Sequence, residues 1–222
     1  TELNEVEKTM ISVSRKYVGE ENPGTAAVLE ALTTLEEIRN RCALLRVLGG
    51  IGDSKGLDAL RKALEDDNTE IQLTAVRALS DWPNAEAIDD LLKIAGNTSD
   101  ETKRALAFRG VVRLIGLDSE RSANETVKLY KQAVNLALNV SEKKMMLSKL
   151  SNVESFAALY LASDYLKDAE LQQEAAVAML KIAESTRNTH PQQTKILLRM
   201  IIQTVKNDYL HQQVQELLNK IE

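Results

Sequence analysis

The sequence predicts an all-α protein, an α-solenoid of about five to six stacked antiparallel helix pairs. Three observations carry this. Glycine and proline number only 9 and 3 among 222 residues, so long helices run without breakers. Apolar residues recur at helical spacing, and no stretch sustains the alternation of a strand. A short pattern, a basic residue followed by apolar residues and a turn, returns every roughly 30 to 36 residues, within the range that marks stacked repeats.

The repeat is read from Arg46-Val47-Leu48, which precedes the turn Gly49 to Gly52 and a new start at Asp53. It returns as Arg77-Ala78-Leu79 before Asp81-Trp82-Pro83-Asn84, then as Arg113-Leu114-Ile115 before Gly116-Leu117-Asp118. Lys149-Leu150 before Ser151-Asn152 and then Met179-Leu180 continue it. Each period holds two helices. One set carries Leu57, Leu60, Leu64; Ile88, Leu91, Leu92, Ala95; and Val127, Tyr130, Val134, Ala137, each a single apolar stripe. The other set carries Ile71, Ala75, Leu79 and Leu171, Ala175, Met179, Ile182.

Start and stop signals agree. Asp53, Asn84, Ser122 and Ser141 are of the N-cap type. Pro83 sits outside helix interiors, and Pro23-Gly24 reads as the breaker of a non-helical stretch from Tyr17 to Gly24. The first helix shows Leu3, Val6 and Met10, and the last shows Val214, Leu217, Leu218 and Ile221. The expected organisation is one domain over residues 1–222: a divergent N-terminal cap at 1–35, core repeats at 36–186 and a C-terminal cap pair at 187–222. A chain that opens on Thr1 inside a helical pattern reads as a fragment or a mature form of a longer protein.

Composition narrows the function. A net charge of −5 is a poor match for phosphate neutralisation, so no nucleic acid partner is expected. No apolar run approaches the roughly 20 residues of a membrane span, so no membrane insertion is expected. The single Cys42 excludes an intrachain disulfide and any cysteine-cluster metal site, which fits the cytoplasm as well as an exported protein without disulfides.

The run from Cys42 to Leu117 resembles the HEAT-like repeats of the PBS-lyase type. The residues that carry this are Ala43 to Gly49, Ile51-Gly52-Asp53, Ala75 to Leu79, Asp81-Trp82-Pro83 and Arg109 to Gly116. The similarity continues through Glu142-Lys143-Lys144, Leu150 and Glu174-Ala175-Ala176. Within that family the run is similar to HEAT segments of large exported bacterial proteins that carry 3-keto-disaccharide hydrolase-like domains. The resemblance implies a periplasmic or cell-surface location and a sugar-active neighbour. Some members act as bilin lyases or DNA glycosylases, a role that the acidic charge and the missing chemistry oppose.

The expectation is therefore a non-catalytic protein-interaction or spacer module with no cofactor, whose partner is another protein or a neighbouring domain. An accessory carbohydrate-binding module is the alternative. His190 and His211 are a helix apart and lack convergent partners. Asp66-Asp67, Asp89-Asp90 and Glu36-Glu37 are adjacent pairs, and neighbours on a helix do not face one another. Gly49-Gly50-Ile51-Gly52 lacks the phosphate-loop pattern. Trp82 is better read as packing than as a sugar platform, and Gly110 in mid-helix as a close helix approach.

Arg46, Arg77, Arg113 and Lys149 are the candidate binding residues, a ladder expected near the ends of four successive helices about 10 Å apart. Either each base staples a neighbouring repeat, through Asp53, Asp81, Asp118 or a helix-end carbonyl, or the ladder faces outward toward an acidic partner. Stapling is the favoured reading.

Overall fold

The computed structural model of the chain describes residues 2–17 and 22–221, except the side chains of Glu2 and Leu3. Leu3 of the first stripe and residues 18–21 of the expected loop thus fall outside the described residues. Thirteen α-helices and two short 3-10 turns occur among the described residues, with no strand. They form two compact units, Thr1–Leu117 and Asp118–Glu222.

In the first unit α1 (Glu2–Ser14), α3 (Ile38–Ile51), α5 (Thr69–Ser80) and α7 (Glu101–Ile115) pack side by side as an inner layer, each against the next. α2 (Pro23–Thr34), α4 (Ser54–Ala63) and α6 (Ile88–Asn97) cover one side of that layer. The expected stripes point into the space between the layers. Ile71, Ala75 and Leu79 are fully buried, as are Leu60 and Leu91, while Leu64 and Leu92 lie half-buried at the margin. Full burial of a Leu or Ile stabilises by about 1.5–3 kcal/mol, so this core is the main source of cohesion.

α5 lies between two unusually close neighbours. A Cβ placed on Gly49 of α3 would meet the Ala78 Cβ at 2.7 Å. One placed on Gly110 of α7 would meet the Ser80 Cα at 2.7 Å and its Cβ at 2.8 Å. The missing side chains let three backbones approach, which accounts for a glycine in the middle of α7. The turns that follow are interlocked as well. α3 runs on through Gly49, Gly50 and Ile51, where the sequence reads a turn, and Gly52 ends it at φ +81°; a Cβ there would collide with the Pro83 Cγ. Glycine is required at that position by conformation and by space.

The caps follow the sequence with two exceptions. Asp53 caps α4 and Ser122 begins α8 with a capping box to Glu125. Asn84 caps the 3-10 turn Ala85–Ala87 that leads into α6. Ser141, however, lies inside α9, whose cap is Asn139; Asn139 accepts from the Glu142 N–H, and the Glu142 carboxylate accepts from the Leu138 N–H. Pro23 does not break a helix but opens α2 at its first turn, where its missing N–H costs nothing, behind the cap Asn22.

The second unit alternates α8 (Ala123–Leu136), α10 (Phe156–Ser163) and α12 (Pro191–Thr204) with α9 (Val140–Leu150), α11 (Gln172–Thr186) and α13 (Asp208–Asn219). α11 packs against both α9 and α13, and α10 against both α8 and α12. Its core includes Tyr130, Leu147, Leu159, Met179, Leu198 and Val214, all fully buried. Burial pushes the Tyr130 phenol up to about 12.

Two outcomes follow. Gly110→Ala gains helix propensity of about 1 kcal/mol yet drives a methyl group into Ser80. The net expectation is a loss of about 1–3 kcal/mol, read as a lower urea midpoint; an unchanged midpoint would show that α5 and α7 can part freely. Tyr130 should resist ionisation until about pH 12. Because its pKa is raised on folding from an ordinary value near 10, its contribution is intact below pH 10 and is lost as pH rises toward 12. Absorbance at 295 nm should show a late-titrating phenol phase, and Tyr130→Phe should shrink it, leaving Tyr165, whose phenol burial also raises.

Candidate functional site

Most charged side chains between the helices of the first unit are spent on joining them. Arg46 of α3 donates from Nε (3.0 Å) and Nη2 (2.6 Å) to the two carboxylate oxygens of Glu7 in α1. That bidentate pair raises the Arg46 pKa. Arg15 donates to the Gly50 carbonyl at 2.6 Å, near the end of α3. Arg113 of α7 donates to the Ser80 carbonyl at 2.9 Å and to the Trp82 carbonyl, just where α5 runs out of its own N–H donors. At the opposite edge Arg41 reaches Asp66 at 2.8 Å, Gln72 donates to the Asp66 carbonyl at 2.6 Å, and Lys103 donates to Gln72. The Asn68 N–H and then Arg41 hold the Asp66 carboxyl below its ordinary range. Arg61 bridges α4 to Asp90 of α6 at 3.0 Å, which raises its own pKa.

The turn acids are not the partners of the ladder. Asp53 is fully occupied: Oδ1 accepts from the Gly56 N–H at 2.8 Å, and Oδ2 from the buried Thr25 hydroxyl. Asp81 and Asp118 are exposed and make no ion pair among the described residues. Helix-end carbonyls and Glu7 take their place.

The four ladder residues differ in their surroundings. Arg46 and Arg113 are engaged as above. Arg77 on α5 is exposed and makes no ion pair or side-chain hydrogen bond among the described residues. Lys149 is likewise exposed on α9, in the second unit. Arg113 also stands out of line with Arg77. Gly49 meets Ala78, and Gly110 meets Ser80, so adjacent inner helices are in step at separations of about 30 residues. Arg77 and Arg113 are about six residues further apart than that, a displacement of about 9 Å along the axis. The arginine on α7 nearest the level of Arg77 is Arg109, about two residues further along, exposed and likewise without a partner among the described residues. The inner-layer face opposite the core carries Arg39 and Arg46 on α3, Glu70, Leu73 and Arg77 on α5, and Arg109 on α7. Sequence reasoning passed over Arg109 as a site; its place beside the mid-helix Gly110 was the available signal.

The remaining candidates hold no reactive arrangement. Grooves of about 570 Å³ between α2 and α4 and about 540 Å³ between α4 and α6 are lined by the paired charges Arg41–Asp66 and Arg61–Asp90 with Leu45, Val76 and Ile94. Neither places a nucleophile beside a base. His190 is exposed and stacks on Phe156, ring centroids 4.6 Å apart. His211 Nε2 lies 2.5 Å from the Val205 carbonyl. No cluster of three His, Cys, Asp or Glu suited to a metal ion occurs among the described residues. Cys42 and Trp82 are buried, so Trp82 offers no ring face to a sugar. None of the described helices is long and apolar enough to cross a membrane.

The family described as HEAT repeats matches residues 25–110 of the chain. The matched span runs from α2 into α7 and contains both close approaches, Gly49 on Ala78 and Gly110 on Ser80. The fold is thus all-α and HEAT-like, built of helix pairs stacked in solenoid fashion within each unit. No curated protein matches the chain.

Arg113 and Arg77 should respond differently to the same change. Arg113→Gln leaves the Ser80 and Trp82 carbonyls without their donor and should cost about 1–3 kcal/mol by urea denaturation. Arg77→Gln should stay within about ±0.5 kcal/mol. Equal losses for both would mean that Arg77 makes a stapling contact in solution.

Proposed function

We propose that this chain is a non-catalytic protein-interaction or spacer module that holds another protein or a neighbouring domain against the inner helices of its first unit. One observation carries the reading. In a unit whose inter-helix cations are tied to carboxylates and carbonyls, Arg77 and Arg109 remain exposed on the inner-layer face. HEAT repeats typically serve as protein-interaction scaffolds, and the match over 25–110 covers most of that face. The resemblance of Cys42 to Leu117 to segments that accompany 3-keto-disaccharide hydrolase-like domains makes such a domain, in an exported protein, the first neighbour to test. The acidic net charge of −5 supports a protein partner over a nucleic acid.

A photo-crosslinking amino acid placed at Leu73, half-buried between Glu70 and Arg77, is expected to join the partner in the native cell. The same group at the exposed Asp89 on α6 is expected to stay unreacted. Preferential capture at Asp89 would move the interaction to the outer helices. Turnover by the purified chain that disappears on one substitution would overturn the non-catalytic reading.

A further inference from the structure

Arg46, Arg77 and Arg109 form a row across α3, α5 and α7. In the step set by Gly49 on Ala78 and Gly110 on Ser80, each of these arginines sits about two residues further along its helix than the one before. The row therefore crosses α3, α5 and α7 almost at right angles, with rungs about 10 Å apart at helix-packing distance. The rungs are not equivalent. Glu7, whose side chain is 11% exposed, takes both ends of the Arg46 fork and neutralises it. Arg77 has no such acid. Glu70 and Asp81 share its stripe of α5, but neither forms an ion pair with it, and an acid four residues after a base is the weaker helical orientation. Arg109 sits on α7 in the same condition.

We propose that Arg77 and Arg109 form a two-point site for an extended acidic segment of a partner protein, its two carboxylates separated by two intervening residues. This rests on the protein-interaction reading above and names the chemistry of the partner. The match is geometric: in a polyproline II segment, with three residues per turn and a rise of about 3.1 Å each, carboxylates at i and i+3 lie on one face about 9 Å apart, close to the spacing of the two rungs. Guanidinium groups take carboxylates by paired, nearly parallel hydrogen bonds, which favours arginine over lysine at both positions. The half-buried Leu73, one turn before Arg77, lies beside the path of such a segment. A nucleic acid strand fits this row less well. Its charges are continuous, whereas this row offers two unpaired cations flanked by Glu70, Asp81 and the neutralised Arg46.

The test is fluorescence anisotropy on the whole chain at two salt concentrations. The probes are a labelled Gly-Ser peptide with Asp at positions i and i+3, the same peptide with Asn at both, and a labelled twelve-nucleotide dT strand. The aspartate peptide should bind at least tenfold tighter than the asparagine peptide, and more weakly at the higher salt. Arg77→Gln with Arg109→Gln should remove at least tenfold of that affinity, while Arg39→Gln changes it less than twofold. Because both residues are exposed, the urea midpoint serves as a fold control and should not move. The proposal is overturned if the double variant binds the aspartate peptide as the native chain does, if both peptides bind alike, or if dT binds more tightly than the peptide. In the last case the row is a phosphate site. Loss of the peptide result with capture at position 73 intact would remove the acidic segment and leave the protein-interaction reading standing.

Discussion

The first unit depends on how closely α5 is held by its two neighbours. Gly49 lets α3 reach Ala78, and Gly110 lets α7 reach Ser80. A helix interior penalises each glycine, so the sequence accepts that cost for backbone proximity. Proximity then sets the rest. It brings the bare carbonyls at the end of α5 within reach of Arg113, lays Pro83 over Gly52, and fixes which residues of adjacent helices stand level. A larger residue at either contact would push the helices apart and lengthen those hydrogen bonds together.

Charge in this unit is distributed by competition among partners rather than by repeat position. Arg46, Arg77 and Arg113 look alike in the sequence, yet one meets Glu7, one meets two carbonyls and one meets none. Asp53 does not staple a ladder arginine; its oxygens cap α4 and accept from the Thr25 hydroxyl of α2. Arg113 can serve as one, because it lies further along α7 than the step between helices and so overhangs the end of α5. The same overhang removes it from the row that Arg109 completes. A cation is available for a partner where the acids beside it do not pair with it, which is the case around Arg77.

The second unit is joined by charged ties as well. Lys144 pairs with Glu174 at 2.6 Å between α9 and α11, and Lys181 donates to Asn152 at 2.6 Å. The first links α9 to the start of α11; the second reaches the turn after α9, the relation that Arg113 has to the end of α5. The core of this unit rests on fully buried Tyr130, Met146 and Met179 among aliphatic residues. Methionine fills irregular space without a demanding shape, which suits a stack whose helices vary from 8 residues in α10 to 15 in α11.

Helix existence, the apolar stripes and the repeat were legible in the sequence, because 3.6-residue periodicity and scarce breakers are local properties of the chain. So were the caps at Asp53 and Ser122, and the reason for Gly110, since only a close approach rewards glycine there. Local signals failed where two candidates stood within reach of each other, as with Ser141 against Asn139, or where Pro23 fitted a helix start as well as a break. The candidate site was legible only as a set of arginines. Which of them are consumed, which are free, and that Arg109 rather than Arg113 stands beside Arg77 are decided by the tertiary structure. The physical reason is that register between helices is set by packing contacts about 30 residues apart, and no pattern within one helix encodes it.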